Sequence, residues 1–342
     1  MNQNIRIAML DSGLSAEYRL PENVRILGKR SFCYDYLTAS VREDTKTEDL
    51  NGHGTMCVST ILNQFTHVDF YIIRMLSASG MTNEAVFLRA LEYACNTDAD
   101  IISVCSSFID GKKSGRIKAA CAEIAARQKI MITSVRNGET ISEPASYDTV
   151  IGVRGGMLPD NRYRFCPEDP IQMQCAQESV LSRGLFGNRT QFQGTSRSAA
   201  LATAHIAGAV FLHPDQKMNL SALLLAGSSE PEPDVPYAGD DLYVRAVFDA
   251  QLEEQLAETD ETYLRFLYLL CELFLCDDPQ IIRTVNLIDF KSRFLLRKSE
   301  ICMRVIEEAF GIILGEPRLY DLQYAYLFYN HLIKPAIQGG TK

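Results

Sequence analysis

From Ile5 to Val153 the chain alternates short β-branched runs with helical patterns, and this alternation constrains the fold more than any other feature. Ile5–Leu10, Val68–Met75, Ile101–Val104, Ile130–Val135 and Val150–Val153 read as buried strands. Thr55–Gln64, Asn83–Cys95 and Arg116–Gln128 lie between them with helical spacing. Parallel strands need long crossovers, which helices supply, so the pattern predicts an α/β fold with a parallel sheet covered on both faces. The crossovers are expected to be right-handed.

A helix rich in small residues is predicted over Ser196–Leu212, followed by a Pro- and acid-rich loop from Gly227 to Pro236. Beyond about Leu252 strand patterns vanish. Glu261–Cys276, Ser299–Phe310 and Asp321–Ile333 read as helices, separated by Asp-Asp-Pro and Gly-Glu-Pro breakers. The predicted organisation is a domain over 1–251 and a small all-helical domain over 252–342. The stretch around Ser299 faintly resembles an acyl-carrier helix, but Lys298 stands where a carrier has an aspartate. A docking or lid domain is the expectation, its tyrosine-rich last helix suited to a partner or to a second copy of the chain.

The net charge of -9 gives no electrostatic footprint for nucleic acid or an anionic membrane. The N-terminus has no basic segment leading a long apolar one, and the richest apolar run, Tyr263–Cys276, contains Arg265 and Glu272. A cytoplasmic protein is expected. The ten cysteines show no CxxC pair and several fall in apolar patterns, which predicts reduced thiols and no cysteine-based metal site or cofactor.

Four residues suggest nucleophilic chemistry. Asp11 closes the first strand before Ser12-Gly13, at the carboxyl edge where parallel sheets bind ligands. His53 lies between glycines at the start of a helix. Ser196 opens the small-residue helix, where unpaired N–H groups can hold an oxyanion. Asn137 follows a buried strand and can offer a side-chain amide to the same oxyanion. Taken singly, each also fits a turn or cap residue.

Together these segments resemble the subtilase family of serine peptidases over roughly residues 4–251. The matching motifs are Asp11-Ser-Gly13, Asn51-Gly-His-Gly-Thr55, Asp100-Ile-Ile-Ser-Val104, Asn137-Gly138, Gly194-Thr-Ser196, His205-Ile-Ala-Gly-Ala209 and the segment Tyr237–Val244. The resemblance implies a three-layer subtilisin-like domain with Asp11, His53 and Ser196 as triad and Asn137 as oxyanion donor. It also implies substrate pairing along Ser79-Gly80 and Cys105-Ser106-Ser107.

The chain departs from the family at several points. Arg197 follows the serine where an apolar residue is usual, and Ala200 replaces a proline. Arg136 either shapes the S1 pocket or pairs with Glu139 at the surface; Glu84 either favours a basic P4 residue or is a solvated helix residue. Ile61–Phe70 joins helix to strand without the family's calcium loop, so no metal is expected there. The expectation is an endopeptidase acting on a peptide or precursor protein, for example in leader removal. The rival is a catalytically weak peptide-binding protein that recruits a partner through its tail.

Overall fold

The computed structural model describes residues 3–106, 115–229 and 245–339. It divides into two compact units. The first comprises residues 1–178, 184–186 and 193–240, and the second comprises 179–183, 187–192 and 241–342.

The first unit is built on a nine-stranded sheet. Its strands are β1 (Ile5–Asp11), β2 (Ile26–Asp35), β3 (Ser40–Asp44), β4 (Val68–Arg74), β5 (Ile101–Val104), β6 (Ile130–Ser134), β7 (Ile151–Gly156), β8 (Tyr163–Phe165) and β9 (Met173–Ala176). Their order is β3-β2-β4-β1-β5-β6-β7-β9-β8. All pairs from β2 to β9 are parallel, and β3 and β8 close the two edges antiparallel. The predicted strands are the centre of this sheet. Sequence pattern missed β2, β3, β8 and β9, because β2 carries Lys29 and Arg30 mid-strand, one on each face, and β3, β8 and β9 are short.

Alternate side chains of the central strands enter two different layers. Ala8, Leu10, Ile102, Val104 and Met131 pack with the apolar faces of α2 (Glu84–Asn96) and α3 (Gly115–Ala126). On the other face Ser103 hydrogen-bonds Thr203 at 2.8 Å, on the long helix α4 (Gly194–Leu212). α4 packs beside α1 (His53–Gln64), which starts that same layer. The three-layer arrangement expected from the alternation is what forms. α1 passes to β4 through only residues 65–67, so the connection is as short as the sequence implies.

The second unit joins helices to a β-hairpin, β10 (Val180–Arg183) paired antiparallel with β11 (Arg189–Phe192). Leu181 of the hairpin shares one core with Phe266, Leu270, Phe274 and Met303 of the helices. Arg189 is buried. It donates to the carbonyls of Leu314 (2.7 Å) and Gly315 and to Glu307 (2.9 Å). Ser299 donates its hydroxyl to the Arg189 carbonyl at 2.8 Å and is buried, so it cannot present a carrier's exposed serine. The predicted helix over Asp321–Ile333 is shorter than expected. Arg318 and His331 both bind the Asp321 carboxylate, which keeps 321–324 in turns, and regular helix begins at Ala325. All ten cysteines are unpaired, as expected. Among the described residues no helix is long and apolar enough to cross a membrane.

Candidate active site

The site begins where β1 ends. The Asp11 side chain is 1% exposed, and its Oδ1 accepts hydrogen bonds from the Ser12 N–H (2.8 Å) and from His53 Nδ1 (2.7 Å). The chain turns away at once because Gly13 adopts φ +114°, and a Cβ there would run into the Thr47 carbonyl. Gly54 admits an equally close approach. A Cβ on it would strike the Gly13 backbone, and its N–H donates to the Ser12 hydroxyl at 2.8 Å. Strand end and helix start are thereby fixed to each other within a few ångströms, carrying Asp11 and His53 with them.

The loop before His53 is organised by Asp49, a residue the sequence reading did not single out. Its Oδ1 accepts from the N–H groups of Asn51 (2.9 Å) and Gly52 (2.8 Å). Its Oδ2 accepts from the N–H (2.9 Å) and hydroxyl (2.7 Å) of Thr55. These donors include orphan amides at the N-terminus of α1. Burial pushes the Asp49 carboxyl up, but the four hydrogen bonds outweigh it and hold the carboxyl below its ordinary range. An Asp three residues before a Gly-His turn was the available signal.

His53 is subject to opposing influences. Burial lowers its pKa, while the charge and hydrogen bond of Asp11, with smaller help from Cys105 and Asp49, raise it from 6.5 to about 9. Two thiols lie beside it: Cys57 Sγ, one helical turn on, is 3.8 Å from Nδ1, and Cys105 is wholly buried.

Ser196 is half-buried at the third position of α4, because the helix begins two residues earlier than its sequence pattern implies. Its N–H therefore falls in the first helical turn, among the groups without an intrahelical acceptor. Asn137 reaches the same helix start. Its Oδ1 accepts from the N–H (3.0 Å) and the hydroxyl (2.9 Å) of Thr195, which commits the amide oxygen and leaves Nδ2 as the donor end. Gly194, at φ +80°, permits this contact, since a Cβ there would lie 2.9 Å from Asn137 Oδ1.

Arg197 does not crowd the nucleophile. Its side chain is buried, donating to the Ala176 carbonyl (3.1 Å) and to Asn161 Oδ1 (2.6 Å), and so ties α4 to β9 and the 159–161 turn. Ala200 is also fully buried.

Of the predicted substrate-contacting residues, Ser79 and Gly80 form a turn closed by Gly80 N–H to Ser77 O at 2.9 Å. Asn51 ties that turn to the His53 loop through the Ala78 carbonyl at 3.0 Å. Ser79 also lines a cavity of about 400 Å³ with Met81, Asn83 and Val86. Glu84 begins α2, 3.9 Å from Arg116. Arg136 pairs with Glu139 at 3.1 Å, both side chains nearly half exposed. Cys105 is buried, so a substrate could meet only its backbone; Ser106 is half-buried, and Ser107 lies outside the described residues, as do 230–236 and Tyr237–Val244.

A parallel sheet between two helical layers, with a carboxylate–imidazole pair at its carboxyl edge, belongs to the subtilisin-like class of α/β folds. Sphericase shares that fold at a TM-score of 0.53 and 18% identity, over 66% of this chain and 83% of its own. The family model described as "Subtilase family" matches residues 2–223, and the chain belongs to that family of serine peptidases. Curated relatives include Subtilisin DY of Bacillus licheniformis, 26% identical over 64% of this chain and 80% of the relative. Subtilisin Savinase of Lederbergia lenta is 26% identical over 61% and 75%. Thermostable alkaline protease of Halalkalibacterium halodurans is 25% identical over 60% of this chain, the match spanning only 56% of the relative.

Proposed function

We propose that the chain is a serine endopeptidase that cuts exposed, extended peptide in the cytoplasm, with limited processing such as leader removal as its role. Ser196 Oγ attacks the scissile carbonyl while His53 Nε2 accepts its proton. Asp11 holds Nδ1–H so that Nε2 faces the nucleophile as the basic nitrogen, and the Asn137 amide with the Ser196 N–H receives the oxyanion. His53 then protonates the leaving amine, and water releases the acyl group by the reverse sequence. The observation that carries this reading is the 2.7 Å bond between His53 Nδ1 and Asp11 Oδ1 in a chain of this family. A fluorophosphonate probe tests it. The wild type should be labelled and Ser196→Ala should not; peptide cleavage undiminished by Ser196→Ala overturns it.

A further inference from the structure

We propose that the open edge of β2 beside the Ser79 turn is an exosite, which captures a second, remote stretch of the substrate polypeptide as an added β-strand. β2 runs on past the end of β4. Its register with β4 stops at Ser31 opposite Arg74, whereas its register with β3 continues from Phe32 to Asp35. Residues 32–35 therefore have a strand on one side only. An antiparallel partner uses the N–H and C=O groups of alternate residues, and those of the residues between point to the open side. No residue of 75–83, the segment that follows β4, hydrogen-bonds to this backbone. Sheet edges left open in this way are templates for another chain.

The cavity of about 400 Å³ borders this edge, and Phe32, Tyr34, Met75 and Val86 give it apolar walls. Thr82, also in its lining, has a buried hydroxyl without a hydrogen-bond partner. Tyr36 and Met81 line it too, yet they are 84% and 55% exposed. Large apolar residues left open around one concavity mark an interaction surface. The volume lies within the roughly 300–1,000 Å³ of ligand pockets, so a bound strand can bury a large apolar side chain there. A small molecule would use the cavity alone. A peptide strand uses both features, the edge for backbone hydrogen bonds and the cavity for a side chain. Asp11, His53, Asn137, Ser196 and Glu84 take no part in the lining, which sets the cavity apart from the catalytic groups and from the expected P4 contact.

That the strand belongs to the substrate rests on the proposed function. Ser79 is part of the cavity lining and of the turn that the family resemblance assigns to substrate pairing, so the two sites are separated by little more than that turn. A flexible stretch of eight residues has a root-mean-square span of about 16 Å, enough to join them. Once the scissile segment is seated, binding of the remote stretch becomes intramolecular. Its binding energy is the same before and during the chemical step, so it lowers KM and leaves kcat unchanged.

Kinetics of the full chain on internally quenched peptides provide the test. A short cleavable peptide is compared with two longer ones, which carry Thr-Val-Thr-Phe-Thr-Val at the N- or the C-terminus through a linker of eight Gly and Ser residues. One of the two extensions should lower KM by about tenfold with kcat little changed. Two versions of that extension, N-methylated on odd or on even residues, should differ, since only one blocks the N–H groups that face the edge. A benzophenone maleimide on Cys33, which is exposed and lines the cavity, should abolish the gain, and Cys33→Ser treated alike should retain it. No gain from either extension, or equal KM for the two N-methylated versions, overturns the exosite. A concentration-dependent dimer that the Cys33 adduct disperses, with no gain in KM, overturns it in favour of a second copy of the chain. If the short peptide is not cleaved at all, the proposed function has failed instead. Fluorescence anisotropy of the labelled extension, with and without the Cys33 adduct, then still decides whether the edge binds a strand.

Discussion

Thr195 holds Asn137 by two hydrogen bonds to one atom, its N–H and its hydroxyl both donating to Oδ1. The amide is thereby oriented before any substrate arrives, and such preorganisation is what makes an oxyanion donor effective. Asn137→Ala should lower kcat by about 10²–10³-fold, the cost of losing one such donor, as in subtilisin itself. Thr195→Val keeps the N–H bond and loses the hydroxyl. It should lower kcat by about tenfold with KM little changed, since the looser donor matters most in the transition state. A Thr195→Val enzyme with wild-type kcat would show that the hydroxyl orients nothing.

The Asp11–His53 pair sets a pH dependence. A general base must be neutral, so with His53 raised to about 9 the rate of Ser196 labelling should climb with pH through the alkaline range. The stability contribution runs the other way. Folding favours charged His53, so that stabilisation is full below 6.5 and is lost as pH rises through about 9. Asp11→Asn removes the main raising influence. The activity limb should move to lower pH, while kcat falls on the order of 10⁴-fold as the imidazole loses its orienting partner. A wild-type profile already flat at neutral pH contradicts this account.

Asp49 carries the opposite sign. Its carboxyl is held below the ordinary range by four hydrogen bonds, so the stability it confers is present above its unfolded pKa and disappears as pH falls through the folded one. Asp49→Ala strands the Gly52 and Thr55 amides and should cost about 3 kcal/mol at neutral pH. Denaturant unfolding of the variant against wild type measures this. The gap between the two should narrow in acid, and a constant gap would locate the effect elsewhere.

What was legible in the sequence follows from range. β1, β4 and β5 are short, mostly apolar runs buried on both faces for most of their length, which is the pattern expected of parallel strands covered on both sides. Asp11-Ser-Gly13 and Gly52-His-Gly54 were readable because the glycines that the close approach demands sit next to the residues they serve. The supporting contacts were not readable. Thr195 meets Asn137 across 58 residues, so no local spacing announces the pair. The tail failed for a related reason, since Asp321 looks like an ordinary helix start until Arg318 and His331 are seen to hold it.

The last prediction concerns deletion of residues 256–342. The sequence suggests a docking appendage, whose loss would spare small substrates. The second unit, however, contains the hairpin β10–β11 as well as the helices. Leu181 N–H donates to the Pro317 carbonyl and Leu319 N–H to the Ser179 carbonyl, both at 2.9 Å, and Ser182 bonds Glu316. With Arg189 bound to Glu307 and to the 314–315 carbonyls, the helices hold both strands. A two-stranded hairpin without such packing is marginal in water. This hairpin leads directly, through Gln193 and Gly194, into Thr195 and Ser196. The truncated protein should therefore be insoluble, or lose activity on a short chromogenic peptide and on a folded precursor alike. Glu307→Gln offers a milder version that keeps the chain whole: it should lower the thermal midpoint by several degrees, an effect of about 1–3 kcal/mol on a largely buried ion pair. A soluble truncation that cleaves the short peptide at the wild-type rate, yet slows on the precursor, would restore the docking interpretation.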